Sequence, residues 1–267
     1  MLGSIFRSMW LGNDLGPLER LCISSFISMG HEFELFTMQE FEVPDGCTLR
    51  PISDVCRDVE PFAYKSGFGA GSYSAFSNVF CYTLLYRLGG WWVDMDVFCL
   101  AKTWPTASVL AGCQDEKSVN SAVLYSAKPG EDLFKQAMEL SRQAGSDVMW
   151  GEIGPGLVTR LVQDREWRQL VHLEPPGTFY PVGYREFLRL LIPGSLSLQD
   201  LREGGSVCLH LWNEMFRFYK LDKTILPPEG SVLRQCYDEA GMTSGFRREY
   251  RVDRVAGKLL PVPYKPD

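Results

Sequence analysis

Gly89-Gly90-Trp91-Trp92-Val93-Asp94-Met95-Asp96 decides how this chain is read. Two glycines close a helix, a short apolar strand follows, and two carboxylates come next, two positions apart. Asp94 and Asp96 therefore stand where a buried strand runs out toward solvent. In open α/β sheets that carboxyl edge is where ligands bind. Two hard oxygen donors suit Mg²⁺ or Mn²⁺, ions that usually sit on one or two carboxylates plus substrate phosphates. The expected occupant is a metal-bound nucleoside diphosphate. An Asp-x-Asp by itself is common in surface turns; the glycine-capped helix and the Trp-Trp-Val strand before it give this one weight.

Upstream, Ser74, Ser77, Asn78 and Cys81 fall at i, i+3, i+4 and i+7 of a helix over 73–88 that is otherwise mostly apolar. A solvent face would carry Lys or Glu, so this stripe of small groups is expected either to line the ligand cavity or to permit close packing. Further upstream the chain opens as β-α-β. The strand covers 5–11, Pro17 starts a helix that Gly30 ends, and Glu32 to Thr37 alternates as a second strand. Residues 44–71 read as loop, with Ser66 to Gly71 the most flexible part. It is no phosphate-cradling P-loop, because no Gly-Lys-Ser/Thr follows. Downstream, Glu131 to Ala144 is helical, Gly154-Pro155-Gly156 leads into another helix, and Val207 to Trp212 is a late apolar strand.

Bulk composition narrows the classes. The 267 residues, 45% hydrophobic and 22% charged, can build one large globular domain. A net charge of -6 leaves no basic field for nucleic acid. None of the eight cysteines forms a C-x-x-C pair, which sets aside zinc-ribbon and thioredoxin-type sites; free thiols in a reducing cytosol are expected. No apolar run approaches the about 20 residues of a membrane span, and Met1 to Trp10 is too short and too lightly charged for a signal peptide. The expected location is cytoplasmic, or peripheral at the inner face of the membrane. The basic C-terminal segment, with Arg247, Arg248, Arg251, Arg254, Lys258 and Lys265, reads as a solvated terminal helix or tail, or as a weak contact for anionic lipid or an acidic partner.

A third metal ligand often comes from a distant strand. Of the three histidines, His210 lies within a buried-looking strand. Alone it would be read as a satisfied core residue, but beside Asp94 and Asp96 it is equally a candidate metal ligand.

The block from Phe76 to Val97, with Gly89-Gly90-Trp91-Trp92 and Asp94-x-Asp96, resembles the DXD-motif sugar-binding glycosyltransferases (glycosyltransferase family 32-like). These include bacterial capsule and lipopolysaccharide sugar transferases, yeast mannosyltransferases and the catalytic domains of large clostridial toxins. Ile5 to Trp10, Gly154-Pro155 and His210-x-Trp212 fall where that family has its other motifs. The resemblance implies an α/β GT-A-type nucleotide-diphospho-sugar transferase fold, a Rossmann-like mixed sheet flanked by helices. It implies a Mn²⁺ or Mg²⁺ cofactor and a retaining transfer of a hexose from a UDP-sugar, or a GDP-sugar, to a glycan or glycolipid acceptor in surface polysaccharide synthesis. It also implies a single catalytic domain over residues 1–240, with a nucleotide-sugar-binding half at 1–100, an acceptor-side half at 101–240, and the basic segment at 241–267.

Carried over by position, Asp94, Asp96 and His210 would hold the metal. Trp10, Ser77, Asn78, Cys81, Gly90, Asp94, Asn120 and Trp212 would contact the donor. Asp94, Asp96 and Glu152 are the catalytic candidates; Glu152, with Asp147, is a candidate nucleophile for retention only by being acidic and downstream, and the leaving diphosphate could itself act as base. Where the family often has Asp and Arg before the motif, this chain has Asn78 and Cys81. Cys cannot replace a guanidinium, so the alternative is a degenerate, non-catalytic sugar-nucleotide-binding subunit. A haloacid-dehalogenase-type phosphatase is disfavoured, because its Asp pair belongs near the first strand.

Overall fold

The computed structural model describes residues 4–253 and 258–264. The chain opens with β1 (Ile5–Trp10), α1 (Pro17–Ser28) and β2 (Glu32–Thr37), as the alternation and the Pro17 start signal require. β3 (Cys47–Pro51) follows inside the stretch expected to be loop. It is an edge strand, exposed or half-exposed along its length, so it lacks the apolar alternation that marks a covered strand.

α2 (Ser74–Leu88) then leads through Gly89 into β4 (Gly90–Val93). Gly89 adopts φ 64°, and a Cβ there would lie 2.9 Å from the Lys128 backbone, so both conformation and space demand glycine. β5 (Val97–Cys99), β6 (Val109–Cys113) and β7 (Val119–Ser126) precede α3 (Asp132–Ala144) and α4 (Pro155–Gln163). After these come β8 (Val171–Glu174), α5 (Pro176–Phe179), α6 (Leu198–Glu203), β9 (Cys208–His210), α7 (Asn213–Phe218) and α8 (Val232–Glu239).

The central sheet has seven strands in the order β3-β2-β1-β4-β7-β6-β8. β3, β2, β1 and β4 run parallel, while β7 is antiparallel to both β4 and β6. Helices cover both faces. β4 shows the division most directly: Trp91 joins the core with Phe6, Phe26 and Trp104 beneath α1, and Trp92 joins the opposite core with Phe80, Leu84 and Phe134 beneath α2 and α3. This is the mixed, Rossmann-like α/β sheet that a GT-A-type fold requires.

β9 leaves that sheet. It pairs antiparallel with β5, with Val97 opposite His210 and Cys99 opposite Cys208. The C-terminal segment is a hairpin rather than a helix or tail: β10 (Arg248–Asp253) pairs with β11 (Lys258–Pro263), and Tyr250 is buried against the body. Tyr250 donates its backbone N–H to Leu226 O, so the hairpin is docked by backbone bonding that charge pattern does not reveal. Arg254 and Lys265 lie outside the described residues. No helix among the described residues is long and apolar enough to cross a membrane.

Candidate functional site

The site begins at the end of β4. Asp94 donates its backbone N–H to Ala122 O on β7 (2.8 Å), and its carbonyl accepts from Val97 N–H (3.2 Å). The turn so formed projects the Asp94 and Asp96 side chains from the sheet edge. Leu211 N–H donates to Asp96 O (2.8 Å), and the β5–β9 pairing draws His210 to the same place. Asp94, Asp96 and His210 can each turn a donor atom into a common space, with those atoms within 4.8 Å of one another. His210 lies more than a hundred residues from Asp94 and Asp96 in sequence, and the pairing of two strands brings it to them.

The two carboxylates are not equivalent. Asp94 accepts a hydrogen bond from Trp92 Nε1 (2.9 Å). Burial, reinforced by the negative charge of Asp96, pushes its carboxyl up to about 7. Burial also opposes ionisation of Asp96, but the charge and hydrogen bond of His210 and the Asn213 N–H outweigh it, and its carboxyl is held below the usual range. The bonds responsible are His210 Nε2 to Asp96 Oδ1 at 3.1 Å and Asn213 N–H to Oδ2 at 2.7 Å.

The residues present fit a divalent ion. Two carboxylates and an imidazole are a hard-to-borderline donor set. His210 Nδ1 is buried and without a hydrogen-bond partner, so the protein meets only half of the ring's polar demand. The ring is clamped edge-on by Trp212, with centroids 4.1 Å apart, and by Tyr180 at 5.7 Å. Trp212 has φ 53°, a left-handed conformation uncommon outside glycine. The bend it makes, fixed by Trp212 Nε1 donating to Val182 O (2.7 Å), puts His210 and Asn213 on two sides of Asp96.

Two cavities meet at this cluster. One, of 390 Å³, runs past Trp10, Leu11 and Gly12 at the end of β1 to Tyr73 and Ser77. The other, of 560 Å³, extends toward Asn78, Asn120, Trp150 and Tyr184. Asp94, Asp96, Ser74, Ser77, Asn213 and Glu214 line both.

The structure thus gathers Trp10, Ser77, Asn78, Asn120, Trp212, Asp94, Asp96 and His210 around one space. Three sequence expectations need correction. Cys81 lines neither cavity: it is 1% exposed, in the apolar core with Trp92 and Phe80, because the helix turns inward by its second turn. Gly90 lies at the opposite end of β4, where a Cβ would meet the Arg7 guanidinium at 2.5 Å. Its role is to let Arg7 reach Gly89 O and Glu34. Glu152 lines neither cavity; its carboxylate accepts the Met149 N–H (2.9 Å) and shapes a turn.

Sequence reasoning passed over Asn213, Glu214, Gln114 and the aromatics Tyr64, Phe68, Trp150, Tyr184 and Phe218. Asn213 and Glu214 follow His210-x-Trp212 directly, and that adjacency was the available signal. The aromatics come from four separate segments and carry no local pattern.

Residues 126–238 match the family described as alpha 1,4-glycosyltransferase conserved region. The matched region contains His210 and Trp212, covers less than half of the chain, and supports a glycosyltransferase family. No curated protein sequence matches the chain. Among solved structures, one titled "PaToxG Glycosyltransferase" is similar at 12% identity and a TM-score of 0.45, over 63% of this chain and 72% of its own. A glycosyltransferase involved in the glycosylation of the major capsid of PBCV-1 is similar at 9% identity and a TM-score of 0.39, over 81% of this chain and 98% of its own. At these scores the two likenesses carry no argument about activity.

Proposed function

We propose that this chain, which carries a glycosyltransferase family region at residues 126–238, is a metal-dependent, retaining hexosyltransferase that uses a nucleotide-diphospho-sugar, most simply a UDP-sugar. The observation that carries this reading is the Asp94–Asp96–His210 cluster at the junction of two cavities. A donor must span a nucleotide site and a sugar site with its diphosphate between them, and the cluster occupies that middle position.

Asp94, Asp96 and His210 would hold Mn²⁺ or Mg²⁺. When bound, such an ion supplies positive charge against the diphosphate leaving group. The protein needs that charge, because no Lys or Arg is among the described residues lining either cavity. Trp10 and Tyr73 offer aromatic surface for the base in the smaller cavity, and Asn78 and Asn120 offer amides for donor-sugar hydroxyls in the larger one. Trp212 holds the His210 ring in place.

Retention needs either a carboxylate on the far face of the sugar or same-face attack assisted by the leaving phosphate. Among the acidic side chains, Glu214 rather than Glu152 borders both cavities. Burial, partly countered by Arg217, raises the Glu214 carboxyl. We assign it no covalent role.

The division into donor and acceptor halves within residues 1–240 belongs to the same proposal, as do a glycan acceptor in surface polysaccharide synthesis and a cytoplasmic or membrane-peripheral location. The non-catalytic alternative draws on the guanidinium missing at Cys81, whose thiol is buried away from both cavities; donor turnover, which a binding subunit would lack, separates the two readings.

The test is calorimetric titration with a panel of UDP- and GDP-sugars, with and without Mn²⁺, followed by assay of nucleotide release. Mn²⁺-dependent binding and slow hydrolysis of one donor are expected. Binding of every donor equally well in EDTA would overturn the metal-dependent reading.

A further inference from the structure

The larger cavity has an asymmetric mouth. Phe68 is 47% exposed, Trp150 38% and Phe218 59%, an unusual outlay of apolar surface for one rim. They come from the 64–72 loop, the turn before α4, and α7. The rings form a chain: Tyr64 to Trp150 at 5.2 Å, Trp150 to Phe68 at 5.5 Å, and Phe68 to Phe218 at 6.1 Å.

This rim is held in place. A Cβ on Gly69 would fall 2.0 Å from Trp150 Cε3, so the indole lies directly on loop backbone that only glycine permits. Tyr64 Oη accepts the Gly151 N–H (3.4 Å), tying the loop to the turn that carries Trp150. Arg217 donates to Phe68 O and to Ala70 O (3.2 Å), tying the same loop to α7. One face of the indole is backed by Gly69, while Trp150 also lines the cavity.

Below the rim the cavity is rich in amides and hydroxyls, with Gln114, Asn120, Asn78 and Ser121 among its lining. Its acidic lining residues are Asp94, Asp96 and Glu214; no Lys or Arg is among the described ones, and the imidazole of His210 is engaged by Asp96. Arg217 is turned away into its bonds with the loop and Glu214.

We infer that this mouth is the acceptor subsite and that it selects a neutral hexopyranoside, whose apolar C–H face stacks on Trp150. The inference rests on the glycosyltransferase reading of the same cavity. A pyranose offers an apolar face to an indole and a hydroxyl edge to polar side chains; Trp150 supplies the first and Gln114 and Ser121 the second, with Asn78 and Asn120 left to the donor sugar. With a metal ion and diphosphate on Asp94 and Asp96, an anionic sugar would face the negative diphosphate and Glu214, with no Lys or Arg among the described lining residues to receive it.

The test uses the full chain with Mg²⁺ and UDP, and ligand-observed NMR titration of neutral methyl hexopyranosides against the matching methyl hexopyranosiduronates. UDP binding with Mg²⁺ is measured separately by calorimetry. Neutral glycosides should bind, and the uronates should bind about tenfold more weakly. Trp150→Ala should weaken neutral binding by about threefold to tenfold and leave the UDP and Mg²⁺ affinities unchanged. Gly69→Ala, which displaces the indole, should act in the same direction, and Trp150→Phe should retain part of the affinity. UDP binding without any neutral glycoside binding, with equal uronate binding, or with no effect of Trp150→Ala would overturn this inference and leave the donor reading standing. Failure of both UDP and glycosides to bind would overturn both. Trp150-dependent glycoside binding without UDP binding would uphold the sugar subsite and overturn the donor site.

Discussion

Replacing Asp94 with Asn should stabilise the metal-free protein while abolishing its response to metal. The amide keeps the size of the carboxylate, and its oxygen can still accept from Trp92 Nε1. What it removes is a charge held unfavourably: burial and Asp96 raise the Asp94 carboxyl to about 7. Between an unfolded value of about 4 and that folded value, the folded chain binds a proton that the unfolded chain does not. Stability is therefore full below about pH 4 and falls as pH rises to about 7, an upper bound of about 4 kcal/mol.

Water reaching the open cavity screens part of this, and about 2 kcal/mol is the working expectation at pH 8. For a chain of this size that is a rise in Tm of roughly 4–8 °C for Asp94→Asn. At pH 4 the parent carboxyl is already protonated and the two proteins should melt together. Thermal unfolding followed by circular dichroism, at pH 4 and 8, in EDTA and in Mn²⁺, measures all of this. Mn²⁺ should raise the parent's Tm and leave the variant's unchanged. Asp96→Asn should have the opposite stability effect at pH 8, because its ionised form is held by His210 and the Asn213 N–H. An Asp94→Asn protein that melts at or below the parent temperature at pH 8 in EDTA would refute the electrostatic argument. One that responds to Mn²⁺ as the parent does would refute the ligand assignment.

Glu152→Gln should leave sugar transfer within about twofold of the parent, the range of an effect well below 1.4 kcal/mol; a hundredfold loss would return it to the catalytic candidates. Ser25→Ala should cost about 1–3 kcal/mol in denaturant unfolding, because the buried Ser25 hydroxyl accepts the Cys99 N–H (2.8 Å) and donates to Cys22 O (2.6 Å). An unchanged midpoint would show that this link between α1 and β5 contributes nothing. Gly112→Ala should destabilise by about 1–3 kcal/mol through overpacking, since its Cβ would lie 2.5 Å from Phe179 and 2.8 Å from Tyr180. A neutral effect there would mean the rings beside β6 yield freely.

Local chemistry in the sequence determined a large part of this protein. Pro17 and Gly30 bound α1, Gly89 ends α2 where φ must be positive, and the apolar run Trp91–Val93 must be covered on both faces. Those constraints act over a few residues, and they are enough to put Asp94 and Asp96 at a strand's carboxyl end. β3 escaped because an exposed edge strand needs no apolar alternation, and the β10–β11 hairpin because its charges describe its solvent face rather than its pairing.

Tertiary structure decided the rest. Ser77, Asn78 and Cys81 share one helical stripe, yet only the first two line the cavities, because packing against Trp92 and Phe80 buries the third. Asp94 and Asp96 are chemically identical in sequence, yet one carboxyl is raised and the other lowered, since only Asp96 is hydrogen-bonded to His210 and the Asn213 N–H. The aromatic rim brings Tyr64, Phe68, Trp150 and Phe218 together from three separate segments, and no pattern along the chain encodes their meeting. Periodicity and capping are local and can be read in order; solvent exclusion and the pairing of distant polar groups exist only once the chain has closed on itself.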